Sequence, residues 1–408
     1  MKCRHCRHPV NLVLIDLGAA PPSNAYLSAE RVHEPEAWFP LRVLVCENCW
    51  LAQTEDVADA SLYFDAEYAY FSGYSRTWLD HCRRYVDSMT QRFGLTAKSH
   101  VVEVASNDGS LLQFVRERGI GCLGIEPTAS TAAAARAKGL EVIEDFFGVK
   151  LARRLAEAGR QADITAANNV LAHVPDINDF TAGFAALLQA DGVATFEFPH
   201  LLQLLEDTQF DTIYHEHFSY LSLTAVTKIF DANGLTVFDV EELTTHGGSL
   251  RVFAQRSDTG TRPVHVNVAR MLAREEQAGL KSKAAYEGFQ RRAERVKHEF
   301  LEFLIAARRE GKTVAAYGAA AKGNTLLNFA GVRPDLINCV ADRNPAKQGK
   351  RLPGSRIPVV DEQNLVGLRP DYVVILPWNI REEVVGQLAN LRATGTQFVT
   401  AIPSLKVA

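Results

Sequence analysis

The sequence predicts an α/β protein centred on a doubly wound, mostly parallel sheet, with a small thiol-bearing region before it and a shorter α/β unit after it. Three observations predict this. Apolar strands and amphipathic helices alternate through the middle of the chain, one strand over 101–104 runs into a small, polar turn at the start of a helix, and two C-x-x-C pairs stand apart from both. These features divide the chain into a metal-binding domain (1–66), a central domain (67–260), a helical connection (261–308) and a C-terminal Rossmann-like domain (309–408).

With 408 residues there is room for two or three cores. Asp and Glu (48) slightly outnumber Lys and Arg (44), so there is no broad basic field and nucleic acid is not an expected partner. The opening Met1-Lys2-Cys3-Arg4-His5-Cys6 is not a secretory leader, and no apolar run is long enough to cross a bilayer. No membrane partner is expected, and the expected location is cytoplasmic. The sequence leaves the oligomeric state open, with a monomer favoured.

Cys3-x-x-Cys6 and Cys46-x-x-Cys49 are each spaced to hold one side of a tetrahedral ion, and together they suit a Cys₄ structural zinc site. A redox dithiol is the rival use of C-x-x-C, and two such pairs in a reducing compartment favour metal. The long connection between the pairs reads as a strand-rich subdomain, with Pro21-Pro22 in a turn and 41–45 as its returning strand. His5 and His8 stand nearby, but four thiolates already close the shell, and a closed shell is structural.

Residues 61–74 carry Tyr63, Tyr68, Tyr70 and Tyr74. Such a cluster either covers a ligand and polarises a carbonyl or joins two domains. A helix is expected over 78–93.

The stretch from Val101 to Ser110 is the centre of the chain. Ala105, Ser106 and Gly109 let a ligand approach the backbone, and the helix expected over 111–118 offers unpaired N–H groups. The next strand, over 122–125, ends in Glu126, placed to accept ribose hydroxyls. G-x-G-x-x-G is absent, and Glu103 and Asp108 would repel a pyrophosphate but suit a sulfonium and an ammonium. The stretch resembles motif I of class I S-adenosylmethionine methyltransferases. That resemblance implies a class I methyltransferase fold and a cofactor held by Glu103, Ala105, Ser106, Asn107, Asp108, Gly109 and Glu126.

Helices are expected over 129–138 and 151–158, with a strand over 141–144 between them. A strand from 164 then ends in Asn168 and Asn169, matching the fourth strand of that fold, where both asparagines would meet the cofactor. His173 lies just beyond on the same side. Residues 192–199 form the next strand.

The stretch from Asp211 to Tyr220, with Tyr214-His215-Glu216-His217 at its middle, is the second functional centre. Two histidines two apart diverge on a helix, unlike the i, i+4 pair of a zincin, so acid–base chemistry is favoured over metal. His217 beside Glu216 makes a proton-abstracting unit, since a carboxylate can orient an imidazole or raise its pKa.

A Cys₄ region, the Asn-Asp-Gly turn, the Tyr-His-Glu-His segment and a Rossmann-like tail together resemble the sugar C-methyltransferases, which methylate the carbon beside the ketone of nucleotide-linked 4-keto-deoxysugars. The resemblance covers essentially the whole chain. It implies His217 as the catalytic base, with Tyr214, Glu216, His173 and Tyr68 around the reaction centre, and Tyr70 on the substrate side.

In the turn over 244–249, Arg251 follows as a candidate for a substrate phosphate, although an edge hairpin explains the segment as well. Apolar positions at helical spacing over 268–309 read as long connecting helices. The tail opens with a strand over 313–317 and a turn over 318–324, before a helix starting near 325. Gly318, Lys322 and Asn324 are candidates for a diphosphate, and Asp342 for a ribose after a strand over 336–341. Lys347 is a further phosphate candidate, and Trp378 ends another strand facing the nucleotide. Two alternatives stay open: a methyltransferase of this architecture acting on oxygen or another small-molecule acceptor, and a non-catalytic nucleotide-sugar-binding protein.

Overall fold

A computed structural model of the chain describes residues 1–57 and 71–408; Tyr63, Tyr68 and Tyr70 lie outside the described residues. The N-terminal part is antiparallel: β1 (Leu12–Ala20), β2 (Phe39–Val45) and β3 (Ala52–Thr54) pair in sequence. Helix α1 (Arg76–Phe93) starts where Ser75 accepts the Trp78 N–H and ends at Gly94, whose φ of 63° suits a left-handed cap. It buries His81, Cys82, Tyr85, Val86 and Met89, one stripe at helical spacing.

The central domain then alternates: β4 (His100–Val104), α2 (Leu112–Glu117), β5 (Gly121–Ile125), α3 (Ala129–Ala137), β6 (Val142–Ile143), α4 (Val149–Glu157), β7 (Ala162–Asn168), α5 (Ile177–Leu187) and β8 (Leu188–Pro199). It continues with α6 (Leu201–Glu206), β9 (Ser219–Tyr220), α7 (Leu223–Ala232), β10 (Leu235–Leu243) and β11 (Ser249–Arg256). The sheet order is β10-β11-β8-β7-β4-β5-β6, with β11 antiparallel to both neighbours and the other pairs parallel. This is the doubly wound class I fold. The chain leaves β4 towards β5 and β6, then returns to β7 on the other side. The crevice for a ligand therefore opens at the carboxyl ends of β4 and β7.

Helices α8 (Val266–Gln277) and α9 (Phe289–Arg309) lead to the last unit. There follow β12 (Val314–Tyr317), α10 (Ala321–Ala330), β13 (Val340–Ala341), β14 (Val359–Val360), α11 (Glu362–Leu368) and β15 (Tyr372–Ile375). The chain closes with α12 (Arg381–Gln387), α13 (Ala389–Ala393), β16 (Gln397–Thr400) and β17 (Lys406–Val407). The sheet order β14-β13-β12-β15-β16-β17 has its own reversal between β12 and β15. Helix α10 begins ahead of the expected position near 325, so Lys322 and Asn324 sit on its first turn rather than in a loop. Gly323 is accommodated there because α10 packs close to the end of β15: an added Cβ would lie 2.8 Å from a Leu376 methyl carbon.

One pairing is not local. Strand β9 adds to the N-terminal sheet, Tyr220 opposite Ala52 and Ser219 opposite Gln53. The segment just before β9 is thereby fixed by the thiol-bearing region as well as by the central domain. Among the described residues, no helix is long and apolar enough to cross a membrane.

Candidate functional site

At the end of β4 the backbone turns through left-handed positions, with φ of 59° at Ala105, 49° at Asn107 and 77° at Gly109. A Cβ on Gly109 would lie 2.2 Å from a Leu140 methyl carbon, so both its conformation and the contact behind it require glycine. Glu126, at the end of β5, accepts the Asn107 N–H (2.8 Å) and the Thr128 N–H (3.1 Å), which aims its buried carboxylate into the turn.

Several buried polar atoms here have no hydrogen-bond partner among the described residues: Glu103 Oε2, Ser106 Oγ, Asn169 Oδ1, and both Oδ1 and Nδ2 of Asn168. Burial, reinforced by the charges of Asp108 and Glu126, pushes the Glu103 carboxyl well above its usual range. A cationic ligand beside it would reverse that shift. An orphaned carboxyl, a hydroxyl and amides offering donors and acceptors fit a ligand that carries an ammonium, ribose hydroxyls and a base, as S-adenosylmethionine does.

The side chains of two residues expected at the cofactor also hold a neighbouring turn. The Asn107 Oδ1 accepts the Ser72 N–H (3.0 Å), and Asp108 accepts from Gly73 N–H (3.2 Å) and Ser110 Oγ while pairing with Lys138 Nζ (3.2 Å). Their side chains fasten the turn Ser72–Tyr74 to the turn that follows β4.

The Tyr214–Phe218 segment crosses from the central sheet to β9. Its backbone is held on both sides: Phe218 N–H donates to Ala172 O (2.8 Å), and Thr54 Oγ1 donates to His217 O (3.2 Å). His217 is buried, with Nδ1 3.0 Å from the Thr212 carbonyl, its ring 4.0 Å from that of Tyr214 and 4.5 Å from that of His173. A carbonyl only accepts, so Nδ1 carries the hydrogen and Nε2 the lone pair. Burial, then the neighbouring His173, holds the imidazole well below its usual pKa, so it is neutral near pH 7.

Glu216 does not orient His217, contrary to the expectation from their adjacency; alternate residues of an extended segment point apart. Its two oxygens instead receive the Asn24 amide (2.9 and 2.8 Å), and burial raises its pKa to about 7. His215 turns to the Phe39 and Pro40 carbonyls of β2.

From the C-terminal domain, Lys322 and Trp378 reach this centre. The Trp378 indole N–H donates to Asp211 Oδ2 (2.8 Å), and Lys322 Nζ donates to Asn379 Oδ1 (2.7 Å) from 4.9 Å above the Trp378 ring. The other expected diphosphate and ribose ligands make contacts within the fold. Asn324 donates to Ser23 O, and Gly318 (φ 87°) is needed because a Cβ would lie 2.4 Å from Pro377. Asp342 accepts from the Ala319 and Asn344 N–H groups, and Lys347 donates to Ala319 O.

Arg251 is held in an ion-pair network. It is buried on Glu197 (2.6 Å) and also pairs with Glu241 (3.1 Å), while His81 holds the other Glu197 oxygen (2.7 Å). Desolvation alone would raise the Glu197 pKa, but the His81 hydrogen bond and the Arg251 charge outweigh it and hold it low. Arg251→Met is therefore expected to cost about 3–5 kcal/mol by stranding that carboxylate; a urea-unfolding midpoint equal to that of the unsubstituted protein would refute this.

Residues that sequence reasoning did not single out are Asn24, Tyr26 and His246. Tyr26 donates to Ala319 O, and the His246 ring accepts from Asn169 Nδ2 (3.2 Å). The Pro21-Pro22 turn was the one available signal for Asn24, and it marks a turn rather than a destination.

The four thiols converge: the sulfurs of Cys3, Cys6, Cys46 and Cys49 all lie within 4.8 Å of one another. Tetrahedral zinc with bonds near 2.3 Å separates its sulfurs by about 3.8 Å, so the set fits that ion. Each pair closes on a left-handed residue, Arg7 (φ 62°) and Trp50 (φ 64°), whose N–H returns to the carbonyl of the first cysteine. His5 is not a ligand; it bonds Asn178 Oδ1.

Three families match in chain order: a zinc binding domain over residues 3–64, a methyltransferase domain over 78–240 and a C-methyltransferase C-terminal domain over 244–403. The C-methyltransferase NovU of Streptomyces niveus is 36% identical over all of this chain and 96% of its own length. Among solved structures, magnesium protoporphyrin IX methyltransferase of Synechocystis with bound SAM is 17% identical, covering 44% of this chain and 82% of that one, at a TM-score of 0.33. A protein of Pyrococcus horikoshii is 15% identical over 46% of this chain and 95% of its own, at 0.39.

Proposed function

We propose, since this chain belongs to the S-adenosylmethionine-dependent C-methyltransferases that carry an N-terminal zinc-binding domain, that its acceptor is the carbon beside the ketone of a nucleotide-linked 4-keto-deoxysugar. The observation that carries the reading is the presentation of His217, a buried neutral imidazole with Nδ1–H tied to a carbonyl and Nε2 left as the basic atom. A proton next to a ketone is removable when a base of this kind stands beside it.

When bound, S-adenosylmethionine supplies an electrophilic methyl group on a sulfonium. Glu103, Ala105, Ser106, Gly109, Glu126, Asn168 and Asn169 are the residues proposed to hold it at the β4 and β7 ends. His217 takes the acceptor's proton on Nε2, and Tyr214 and His173 wall the ring so that it keeps one orientation. The C-terminal domain is proposed to hold the nucleotide while Lys322 and Trp378 close the crevice.

The test is mass spectrometry of the protein with S-adenosylmethionine and a panel of dTDP-, GDP- and CDP-linked 4-keto-6-deoxysugars. A carbon-bound methyl on one member is the expected result. No product on any, with cofactor binding demonstrated, would overturn the acceptor reading.

A further inference from the structure

Lys322 and His217 hang from the two sides of one short turn. Thr212 in that turn receives the His217 Nδ1–H, Asp211 receives the Trp378 indole, and Ile213 O receives Thr325 Oγ1 (2.8 Å), one helical turn along α10 from Lys322. The ammonium lies over that same indole and spends one of its three hydrogens on a neutral amide, Asn379 Oδ1. Its charge is one of the causes that lower the pKa of both His217 and His246.

A phosphate is a poor partner at this place. A diphosphate presents two anionic groups to be met, whereas Lys322 brings one ammonium, and the carboxylate of Asp211 is held on the same indole through its N–H. Of the other diphosphate candidates, the Gly318 N–H donates to Ala341 O (2.8 Å) and the Asn324 amide donates to Ser23 O (2.7 Å). A single oxygen on which charge develops only during reaction suits a lone, pre-positioned cation better.

We propose that Lys322 is the catalytic cation of the deprotonation, its ammonium meeting the ketone oxygen of the acceptor and stabilising the negative charge that forms there. This rests on the keto-sugar reading above. In the step, the carbon–hydrogen bond breaks and its proton passes to His217 Nε2. The electron pair left on carbon forms the carbon–carbon double bond, and the carbonyl π pair moves onto the oxygen beside Lys322. On methyl transfer the pair of the carbon–carbon double bond would form the new bond to the methyl carbon, the pair of the broken methyl–sulfur bond would stay on sulfur, and the oxygen pair would return to re-form the ketone.

The experiment compares the full-length protein with Lys322→Gln, which keeps a donor for Asn379 but removes the charge, and with Lys322→Met. With a keto sugar that the unsubstituted protein accepts, three quantities are read: exchange of the ring hydrogen in D₂O, kcat, and KM for the nucleotide sugar. Both variants are expected to lose about 10²-fold in exchange rate and kcat, with KM for the sugar within about threefold and cofactor affinity unchanged. A variant with exchange and kcat intact and KM raised about tenfold would make Lys322 a phosphate ligand and overturn the assignment. An unsubstituted protein that neither exchanges nor methylates any sugar of the panel removes the acceptor reading, and the lysine's role with it. Normal turnover in both the protein and its variants removes only the lysine's role.

Discussion

His217→Asn is expected to reduce turnover by about 10²–10⁴-fold, the range for loss of a positioned general base, while leaving S-adenosylmethionine affinity nearly unchanged. Asparagine can still offer an N–H to the Thr212 carbonyl, so the Tyr214–Phe218 segment keeps its anchor and only the basic Nε2 disappears. The residues proposed to hold the cofactor lie at the β4, β5 and β7 ends, and this side chain is not among them. Steady-state kinetics with equilibrium cofactor binding separates the two quantities, and a variant with full turnover would remove His217 from the role of base. The pH profile gives a second readout. Burial and the nearby His173 hold His217 well below 6.5, so the imidazole stays unprotonated as pH falls through the ordinary histidine range. The acid limb of kcat/KM assigned to it is therefore expected below pH 6.5.

Cys46→Ser is expected to lose both the zinc and the activity, although the four thiols are not among the residues proposed to hold the cofactor. Apparent zinc binding in small Cys sites contributes about 10–16 kcal/mol to folding, and a three-thiolate shell keeps only part of that. The consequence travels along a defined path. The second C-x-x-C pair connects β2 to β3, β3 pairs with β9, and β9 closely follows His217. Asn24, from the connection between the two thiol pairs, also holds both oxygens of Glu216. Metal analysis, thermal unfolding and turnover, measured before and after chelation of the unsubstituted protein, test this together. A metal-free protein with full turnover would show that the N-terminal sheet does not position the Tyr214–Phe218 segment.

Much of the local architecture is legible in the amino-acid sequence. The β4 turn can be read because its left-handed positions fall on small or amide residues, and α1 because its apolar residues recur at helical spacing between a serine cap and a glycine. The cysteine pairs are legible because C-x-x-C has a local geometric meaning. Side-chain direction is less legible. Asn107 and Asp108 have the character of ligands, yet they fasten a neighbouring turn. Arg251 resembles a phosphate ligand because it follows a glycine-rich turn, yet its strand position faces Glu197 inside the sheet. Glu216 is adjacent to His217 in sequence, but extended backbone turns the two side chains apart.

The sequence by itself determined the zinc-binding pairs, the doubly wound central sheet, the tight turn after its first strand and the Tyr-His-Glu-His run with its histidine. Each of these depends on spacing within one element or one turn. Only the tertiary structure decided what surrounds that histidine. Asn24 meets Glu216 across 192 residues, Tyr26 meets Ala319 across 293, and Trp378 meets Asp211 across 167. Contacts at such separations are set by how three sheets pack against one another. That packing is a property of buried surfaces summed over the whole chain and leaves no periodic trace at the residues it brings together.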